Sequence, residues 1–185
     1  MAVLQTIRKL FVAAEPSEHR DVVPAPPAEY SIKPLTEKNI KEVLKLNFRC
    51  FQNGENYTKH TFLYLLNEPG ILSYQIVTEH DEMAAFAFVM VTESGMGHLT
   101  TIGVAPEHRR RNLARKLLEH LETALTKRDI YTMMLEVRVG NTDAQNLYLR
   151  SGYAVTQRIE NYYHNGEACF LMFKSLTAAS AAEAS

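Results

Sequence analysis

The stretch from His98 to Leu125 constrains the fold more than any other part of the chain. It starts with an alternating run, HLTTIGV, turns through APEHRRRN, and continues with leucines at positions 113, 117, 118, 121 and 125. Alternation is typical of a strand, whereas leucines at this spacing cover one face of a helix. The sequence therefore predicts a strand, a basic turn and an amphipathic helix in direct succession.

Similar patterns fill the region from residue 30 to residue 175. Strand-like runs such as ILSYQIVTE, MAAFAFVMVTE and IYTMMLEVRV alternate with helix-like ones, and YAVTQRIENYY and EACFLMFKSL form a final hairpin around HNG. Asn141 is the expected N-cap of the last helix, and Gly152 marks its end. This order predicts one α/β or α+β domain with a mixed sheet.

Both ends of the chain are predicted to lie outside this domain. Four prolines in the stretch EPSEHRDVVPAPPAEY indicate an extended linker up to residue 29, and residues 176–185 read as a disordered tail. Residues 1–14 are expected to form a short amphipathic helix, the alternative being a frayed terminus. The apolar face of that helix would consist of Val3, Leu4, Ile7, Leu10 and Phe11.

Composition narrows the functional classes. A net charge of -1 provides no overall field for nucleic acid, so the three arginines at 109–111 must act locally. The 2 cysteines are far apart and favour a reduced, cytoplasmic protein. We expect no metal site, because C-x-x-C and H-x-x-x-H spacings are missing from the sequence. A membrane span is not expected, because no apolar run approaches the roughly 20 residues it needs.

The basic turn leaves two interpretations open. A helix N-terminus offers unpaired N–H groups and about half a positive charge, and the arginines would add mobile charge around a pyrophosphate. Alternatively, they only solvate the helix end, although cations at a helix N-terminus oppose the dipole.

The order of motifs resembles a known family. TTIGVAPEHRRRNLARKLL is similar to the acetyl-CoA motif of the GNAT superfamily of N-acetyltransferases, and LEVRVGNTDAQNLYLRSGYAVTQRIENYY resembles the RimI-like N-terminal acetylases. The resemblance covers about residues 30 to 174. It implies the GNAT fold, a mostly antiparallel mixed sheet of about seven strands flanked by about four helices.

Acetyl-CoA is the co-substrate that the resemblance implies. Asn112 stands where the family usually has glycine, which lets the backbone approach the cofactor closely. Asparagine tolerates unusual φ values better than most residues, so we expect the replacement to cost only on the order of 1 kcal/mol of cofactor binding. The implied contacts are the backbone of the strand end, the basic turn with the first helical residues, and the next N-cap. These residues are Ile102, Gly103, Val104, Arg109, Arg110, Arg111, Asn112, Leu113, Ala114, Arg115 and Asn141.

In the RimI-like pattern Glu136 is the general base and Tyr148 the general acid. The competing interpretations are a strand carboxylate paired with Arg138 and a core aromatic ring. The resemblance also implies an acceptor-binding set, in which His98 doubles as a second candidate base. This set is Phe51, Tyr57, His98, Tyr162 and Tyr163.

The predicted function is acetyl transfer from acetyl-CoA to the N-terminal α-amine of a protein, ribosomal or otherwise. The alternatives are a GNAT enzyme acting on a small amine or a lysine side chain, and a non-catalytic CoA-binding module. A homodimer is left open.

Overall fold

A seven-stranded sheet forms the centre of the molecule. The computed structural model describes residues 11–12, 22–51 and 56–176. Its strands are β1 (Phe11–Val12), β2 (Tyr30–Pro34), β3 (Asn56–Tyr57), β4 (Ile71–Thr78), β5 (Met83–Val91), β6 (Gly97–Val104), β7 (Thr132–Arg138), β8 (Ala154–Ile159) and β9 (Cys169–Ser175). The large sheet has the order β2-β4-β5-β6-β7-β9-β8. Among the described strands only β6 and β7 pair in parallel, which confirms the predicted mixed, mostly antiparallel sheet.

Four α-helices flank the sheet in the described part of the chain, as predicted. They are α1 (Ile40–Cys50), α2 (Lys59–Asn67), α3 (Leu113–Thr126) and α4 (Thr142–Arg150), and short 3-10 turns cover Glu37–Asn39 and Pro106–His108. Among these residues, none of the helices has the length and apolar character needed to cross a membrane.

The leucine stripe of α3 builds the core on one face of the sheet. All five leucines are at most 2% exposed and pack in one cluster with residues of β4, β5, β6 and β7. Full burial of a leucine side chain stabilises the fold by about 1.5–3 kcal/mol. The helix is therefore fixed by its apolar face, and its first residue, Leu113, is anchored beside the basic turn.

Helices α1 and α2 cover the opposite face of the sheet. Strand β5 alternates between the two cores, with Ala85 and Ala87 toward α3 and Phe86 and Phe88 toward α1 and α2. The Phe62 ring of α2 lies 6.0 Å from Phe86 and 5.3 Å from Phe88, between ring centroids. Side chains on successive strand residues point to opposite faces, so β5 is apolar on both.

The structure corrects the sequence prediction at both ends. Phe11 and Val12 are not helical: they form β1, which pairs antiparallel with β3. Helical periodicity gives no sign of such long-range pairing, which explains the error. Leu176, assigned to the tail, is 6% exposed and its N–H donates to the Tyr131 carbonyl at 2.8 Å. The remaining residues of the predicted N-terminal helix and C-terminal tail lie outside the described residues, which leave out 1–10, 13–21 and 177–185.

Candidate active site

Strands β6 and β7 diverge and open a cleft between them. Their parallel pairing is confined to Gly97 with Met133 and His98 with Met134. Next to this point β6 carries an extra residue, Thr100, because Leu99 pairs with Val89 while Thr101 already pairs with Phe88. A bulge of this kind bends a strand and increases its twist. It lies where β6 leaves β7.

The cleft holds a cavity of about 240 Å³. Its walls come from β6, β7, the N-terminal turns of α3 and α4, the segment joining α1 to α2, and the segment after β8. The lining residues are Phe51, Tyr57, His98, Leu99, Thr100, Thr101, Ile102, Val104, Ala114, Glu136, Val137, Arg138, Asn141, Ala144, Leu147, Tyr148, Tyr162 and Tyr163. Both predicted catalytic residues and all five predicted acceptor residues are among them.

The open side of β6 forms the first wall. Ile102 and Val104 line the cavity, whereas Gly103 packs against the other core. A Cβ atom at Gly103 would come within 2.7 Å of the Phe86 ring and 3.1 Å of the Cys50 sulfur. Glycine is therefore required here for close packing of α1 and β5 behind the strand, rather than for contact with a ligand.

The basic turn has the geometry of an anion-binding helix N-terminus. Arg110 and Asn112 have φ values of 63° and 60°, the left-handed region. Asparagine visits this region at lower cost than most residues, which accounts for Asn112 at a position where glycine would serve. The first helical hydrogen bond runs from the Lys116 N–H to the Asn112 carbonyl at 2.9 Å. The N–H groups of residues 113–115 precede it and have no i−4 acceptor in the helix.

The residues of the turn do not all face the same way. The side chains of Arg109 and Arg110 are exposed, and Ala114 lines the cavity. Leu113 is buried in the core, and Arg115 pairs with Glu119 on the helix surface at 2.8 Å. These two can reach a ligand in the cleft only through their backbone.

The Arg111 side chain contacts the proline-rich segment. Its guanidinium donates to the Tyr30 hydroxyl at 2.7 Å, to the Pro26 carbonyl at 2.8 Å and to the Ala25 carbonyl. The sequence placed Arg111 among the cofactor contacts, and that assignment stays a prediction; the side chain itself is directed at the proline-rich segment. Residues 22–29 form no strand, so their carbonyl groups are open to a side-chain donor.

Glu136 and His98 form a buried pair at the point where the strands separate. The Nε2 atom of His98 lies 2.7 Å from Oε2 of Glu136, and the two side chains are 1% and 8% exposed. The other polar atoms, Nδ1 of His98 and Oε1 of Glu136, are buried and have no hydrogen-bond partner within the described residues. Each residue of the pair therefore has one polar atom that can form a hydrogen bond with a group entering the cleft.

Tyr148 reaches the cleft from α4. The residue is 6% exposed, and its ring packs edge-on against Tyr153 at 5.9 Å between centroids. Burial raises the pKa of its hydroxyl well above the usual value, and the negative charge of Glu136 raises that pKa further. The hydroxyl therefore stays protonated at neutral pH and can donate.

Arg138 is the lining residue whose role the sequence prediction missed. It was considered as the partner of Glu136, but its guanidinium contacts Glu167 and lies over the Tyr163 ring, 3.7 Å from the centroid. Tyr162 packs edge-on against Tyr163 at 5.0 Å. Residues two apart on a strand share a face, so the spacing of Glu136 and Arg138 was the signal that both face the cleft.

Asn141 has one atom engaged in the fold. Its side-chain oxygen accepts the Ala144 N–H at 3.1 Å and caps α4, as predicted. The amide nitrogen of the same side chain is a separate donor group. Since Asn141 lines the cavity, one side chain can cap the helix and still donate to a ligand.

One group of possible metal ligands occurs within the described residues, behind the basic turn. Ligand atoms of Glu82, Glu107 and His108 lie within 4.8 Å of one another. However, Glu107 contacts Arg49, and Nδ1 of His108 lies 2.9 Å from the Tyr30 hydroxyl. These contacts tie the group to neighbouring elements, and the expectation that the protein has no metal stays a prediction.

Comparison with known proteins assigns the class. Residues 40–153 match the acetyltransferase (GNAT) family. The crystal structure of the ribosomal-protein-S18-alanine N-acetyltransferase from Escherichia coli superposes with a TM-score of 0.73 at 29% identity, covering 85% of this chain and 100% of that one. The chain belongs to the GNAT acetyltransferase family, and the predicted fold is confirmed.

Two curated relatives match the chain over part of its length. It is 41% identical over 86 residues to the catalytic subunit of the N-terminal acetyltransferase B complex of Arabidopsis thaliana, covering 46% of this chain and 49% of the relative. It is 40% identical over 92 residues to the ribosomal protein bS18-alanine N-acetyltransferase of Escherichia coli strain K12, covering 50% and 61%. The matches thus span about half to three fifths of these relatives, and they confirm the predicted RimI-like resemblance.

Proposed function

We propose that the protein transfers the acetyl group of acetyl-CoA to the N-terminal α-amine of a protein or peptide by direct attack on the thioester. The observation that carries the proposal is the buried Glu136–His98 pair, which lines one cleft together with the Tyr148 hydroxyl. The names of both curated relatives, an N-terminal acetyltransferase and a ribosomal-protein-alanine acetyltransferase, support this acceptor.

The residues around the cleft fit acetyl-CoA. The N–H groups at the start of α3 and the exposed Arg109 and Arg110 suit a pyrophosphate, since anions bind at helix N-termini. The edge of β6 beyond His98 has no β7 partner and offers backbone groups to an extended amide-containing arm. Asn141 adds a donor from α4. Bound here, acetyl-CoA would supply the acetyl group and a thiolate leaving group.

The acceptor must lose a proton, and Glu136 with His98 is the group placed to take it. A free carboxyl has a pKa of about 4.3, an imidazole about 6.5 and an α-ammonium about 7.7–8. Transfer of a proton from the α-ammonium to a lone carboxylate is therefore unfavourable by about 3.5 pKa units. If the imidazole shares the proton, the difference is only about 1.3 units.

The same values favour an α-amine over a lysine side chain. A lysine ammonium has a pKa of about 10.4, so deprotonating it near pH 7 costs roughly 3.5 kcal/mol more. Tyr148, which lines the same cleft, completes the chemistry: its protonated hydroxyl donates to the departing sulfur. The cytoplasmic location stays a prediction from the sequence, and the homodimer stays open.

Thiol release from acetyl-CoA tests the proposal. The substrates are peptides with free or blocked N-termini, a blocked peptide with one lysine, and small amines. We expect turnover with the free N-termini, at rates well above those for the lysine peptide. Preference for a small amine would establish that alternative instead. Binding of CoA with no turnover of any acceptor would leave only a binding module.

Glu136→Gln tests the base. The substitution keeps the shape of the side chain and should lower kcat/KM by about 10²–10³ at neutral pH, within the range of general catalysis. Raising the pH should recover much of this loss, because the amine then deprotonates unaided. Glu42→Gln, on the exposed surface of α1, is the matched control and should behave as wild type. Full activity of Glu136→Gln at pH 7 would place the base elsewhere.

A further inference from the structure

The proline-rich segment is attached to the basic turn at several points. The Ala25 N–H donates to the Glu107 carbonyl at 2.9 Å, and the carbonyls of residues 25 and 26 accept from Arg111. The Tyr30 hydroxyl, at the start of β2, accepts from Arg111 at 2.7 Å and lies 2.9 Å from Nδ1 of His108. Residues 22–30 therefore contact both sides of the turn that leads into α3.

These contacts stabilise a turn whose backbone conformation is strained. Arg110 is neither glycine nor asparagine, yet its φ is 63°, and such a residue costs roughly 1–2 kcal/mol in the left-handed region. Asn112 is also left-handed, so two such residues flank Arg111. Arg111 lies between them and is half-buried, whereas Arg109 and Arg110 are exposed. The anchoring of Arg111 thus fixes the middle of a strained turn.

The charge of Arg111 is not neutralised by the partners that hold it. Two backbone carbonyls and one tyrosine hydroxyl accept its hydrogen bonds, and all three are uncharged. The guanidinium therefore stays a cation, and its position against residues 25, 26 and 30 is fixed. Because this side chain is already fixed, the backbone of the turn does not have to be ordered when an anion binds at the helix N-terminus.

We propose that residues 22–30 act as a strap that positions the pyrophosphate-binding turn, with Arg111 and Tyr30 as positioning residues for acetyl-CoA. The inference rests on the proposed binding of acetyl-CoA at this turn. It assigns Arg111 a role different from that of Arg109 and Arg110, which would contact the phosphates directly. It also makes the proline-rich segment a part of the cofactor site rather than a linker.

Tyr30→Phe isolates the positioning role. It removes the hydroxyl that joins Arg111 to His108 but leaves every charge in place. We expect the KM for acetyl-CoA to rise about fivefold to tenfold, with kcat at saturating acetyl-CoA within twofold of wild type. Arg111→Lys keeps the charge, loses the forked geometry and should behave similarly. Tyr131→Phe is the control: its hydroxyl bonds Asp129 on the surface at 3.1 Å, and both constants should stay at wild-type values.

The strap and the cofactor must also stabilise each other if they are coupled, because linkage is reciprocal. The Ala25 amide reports on strap docking through its bond to Glu107. We expect saturating CoA to slow hydrogen exchange of this amide at least threefold. The Leu176 amide, bonded to Tyr131 at 2.8 Å, serves as the control and should not change.

Calorimetry of CoA binding distinguishes a failure of the proposed function from a failure of the strap proposal. If CoA does not bind at all, the proposed function fails. If CoA binds, but Ala25 exchange is unchanged and Tyr30→Phe leaves the KM for acetyl-CoA at the wild-type value, the strap is structural only and the inference is overturned.

Discussion

At the scale of single residues, the Tyr148 hydroxyl differs from a free phenol in one respect that matters for catalysis. Burial, and then the charge of Glu136, raise its pKa, so the proton is retained far above neutral pH. Tyr148→Phe removes this donor and should lower kcat by about 10²-fold with little change in the KM for acetyl-CoA. Unlike the loss in Glu136→Gln, this loss should not recover as the pH of the assay is raised to 9.

Tyr153→Phe is the matched control for Tyr148→Phe. Tyr153 is also a buried tyrosine and touches Tyr148, but its hydroxyl bonds Glu122 at 3.1 Å and it does not line the cavity. Its removal should cost about 1 kcal/mol of stability through the lost hydrogen bond and leave kcat nearly unchanged. Equal losses of kcat in the two variants would mean that Tyr148 acts by packing.

The sequence located the single residues of the site better than their partners. Glu136 and Tyr148 could be found because each stands at a motif position on a strongly periodic element. The partner of Glu136 was not predictable in the same way. His98 is 38 residues away in the chain and reaches Glu136 only because β6 and β7 pair at that end. Arg138, the nearer candidate, is drawn to Glu167 instead.

At the scale of secondary structure, Asn141 links the stability of α4 to ligand binding. Asn141→Ala removes the cap and should lower the free energy of unfolding by about 1 kcal/mol, and it should also raise the KM for acetyl-CoA. Asn141→Asp keeps the capping oxygen but has no amide donor. We expect Asn141→Asp to unfold at the same denaturant concentration as wild type, while its KM for acetyl-CoA still rises severalfold. A wild-type KM in Asn141→Asp would restrict Asn141 to its capping role.

The elements themselves were predictable where one face is apolar. The stripe of α3 and the alternation in β6 are local properties, so their existence followed from the sequence. The bulge at Thr100 and the divergence of β6 from β7 were not, because pairing partners lie far apart in the chain. The cleft is made by this divergence. The sequence could name residues of the cleft, but it could not predict how the surrounding elements are arranged around it.

At the scale of the whole molecule, the irregular segments escaped prediction most. The strap lacks periodicity, and β1 lies in a stretch whose apolar residues have helical spacing. The positions of both depend on long-range contacts, with the basic turn and with β3 respectively. Proline content predicted an extended linker before β2, and residues 22–29 form no helix or strand. It could not show that the carbonyls of this segment would accept from Arg111 and so turn that side chain away from an open site.

The two cysteines, Cys169 buried and Cys50 half-buried, give the whole fold a dependence on alkaline pH. Burial raises the thiol pKa from 9.0 to about 11 for Cys50 and to about 12 for Cys169, where the charge of Glu136 adds to the effect. Above pH 9 the unfolded thiols ionise while the folded ones remain protonated, so the folded chain binds more protons. The stability contributed by each thiol is thus complete below pH 9 and is lost as the pH rises toward the folded pKa.

Urea unfolding in the presence of a reductant at pH 8 and at pH 10 measures this contribution. One pKa unit corresponds to about 1.4 kcal/mol, so the two thiols together should remove about 2–3 kcal/mol between these pH values. The double variant Cys50→Ala/Cys169→Ala should be less stable than wild type at pH 8, because it loses packing. Its stability should nevertheless fall by about 2–3 kcal/mol less on going to pH 10, since lysines and tyrosines titrate equally in both proteins. The same fall in both proteins would show that the thiols ionise as readily in the folded chain as in the unfolded one.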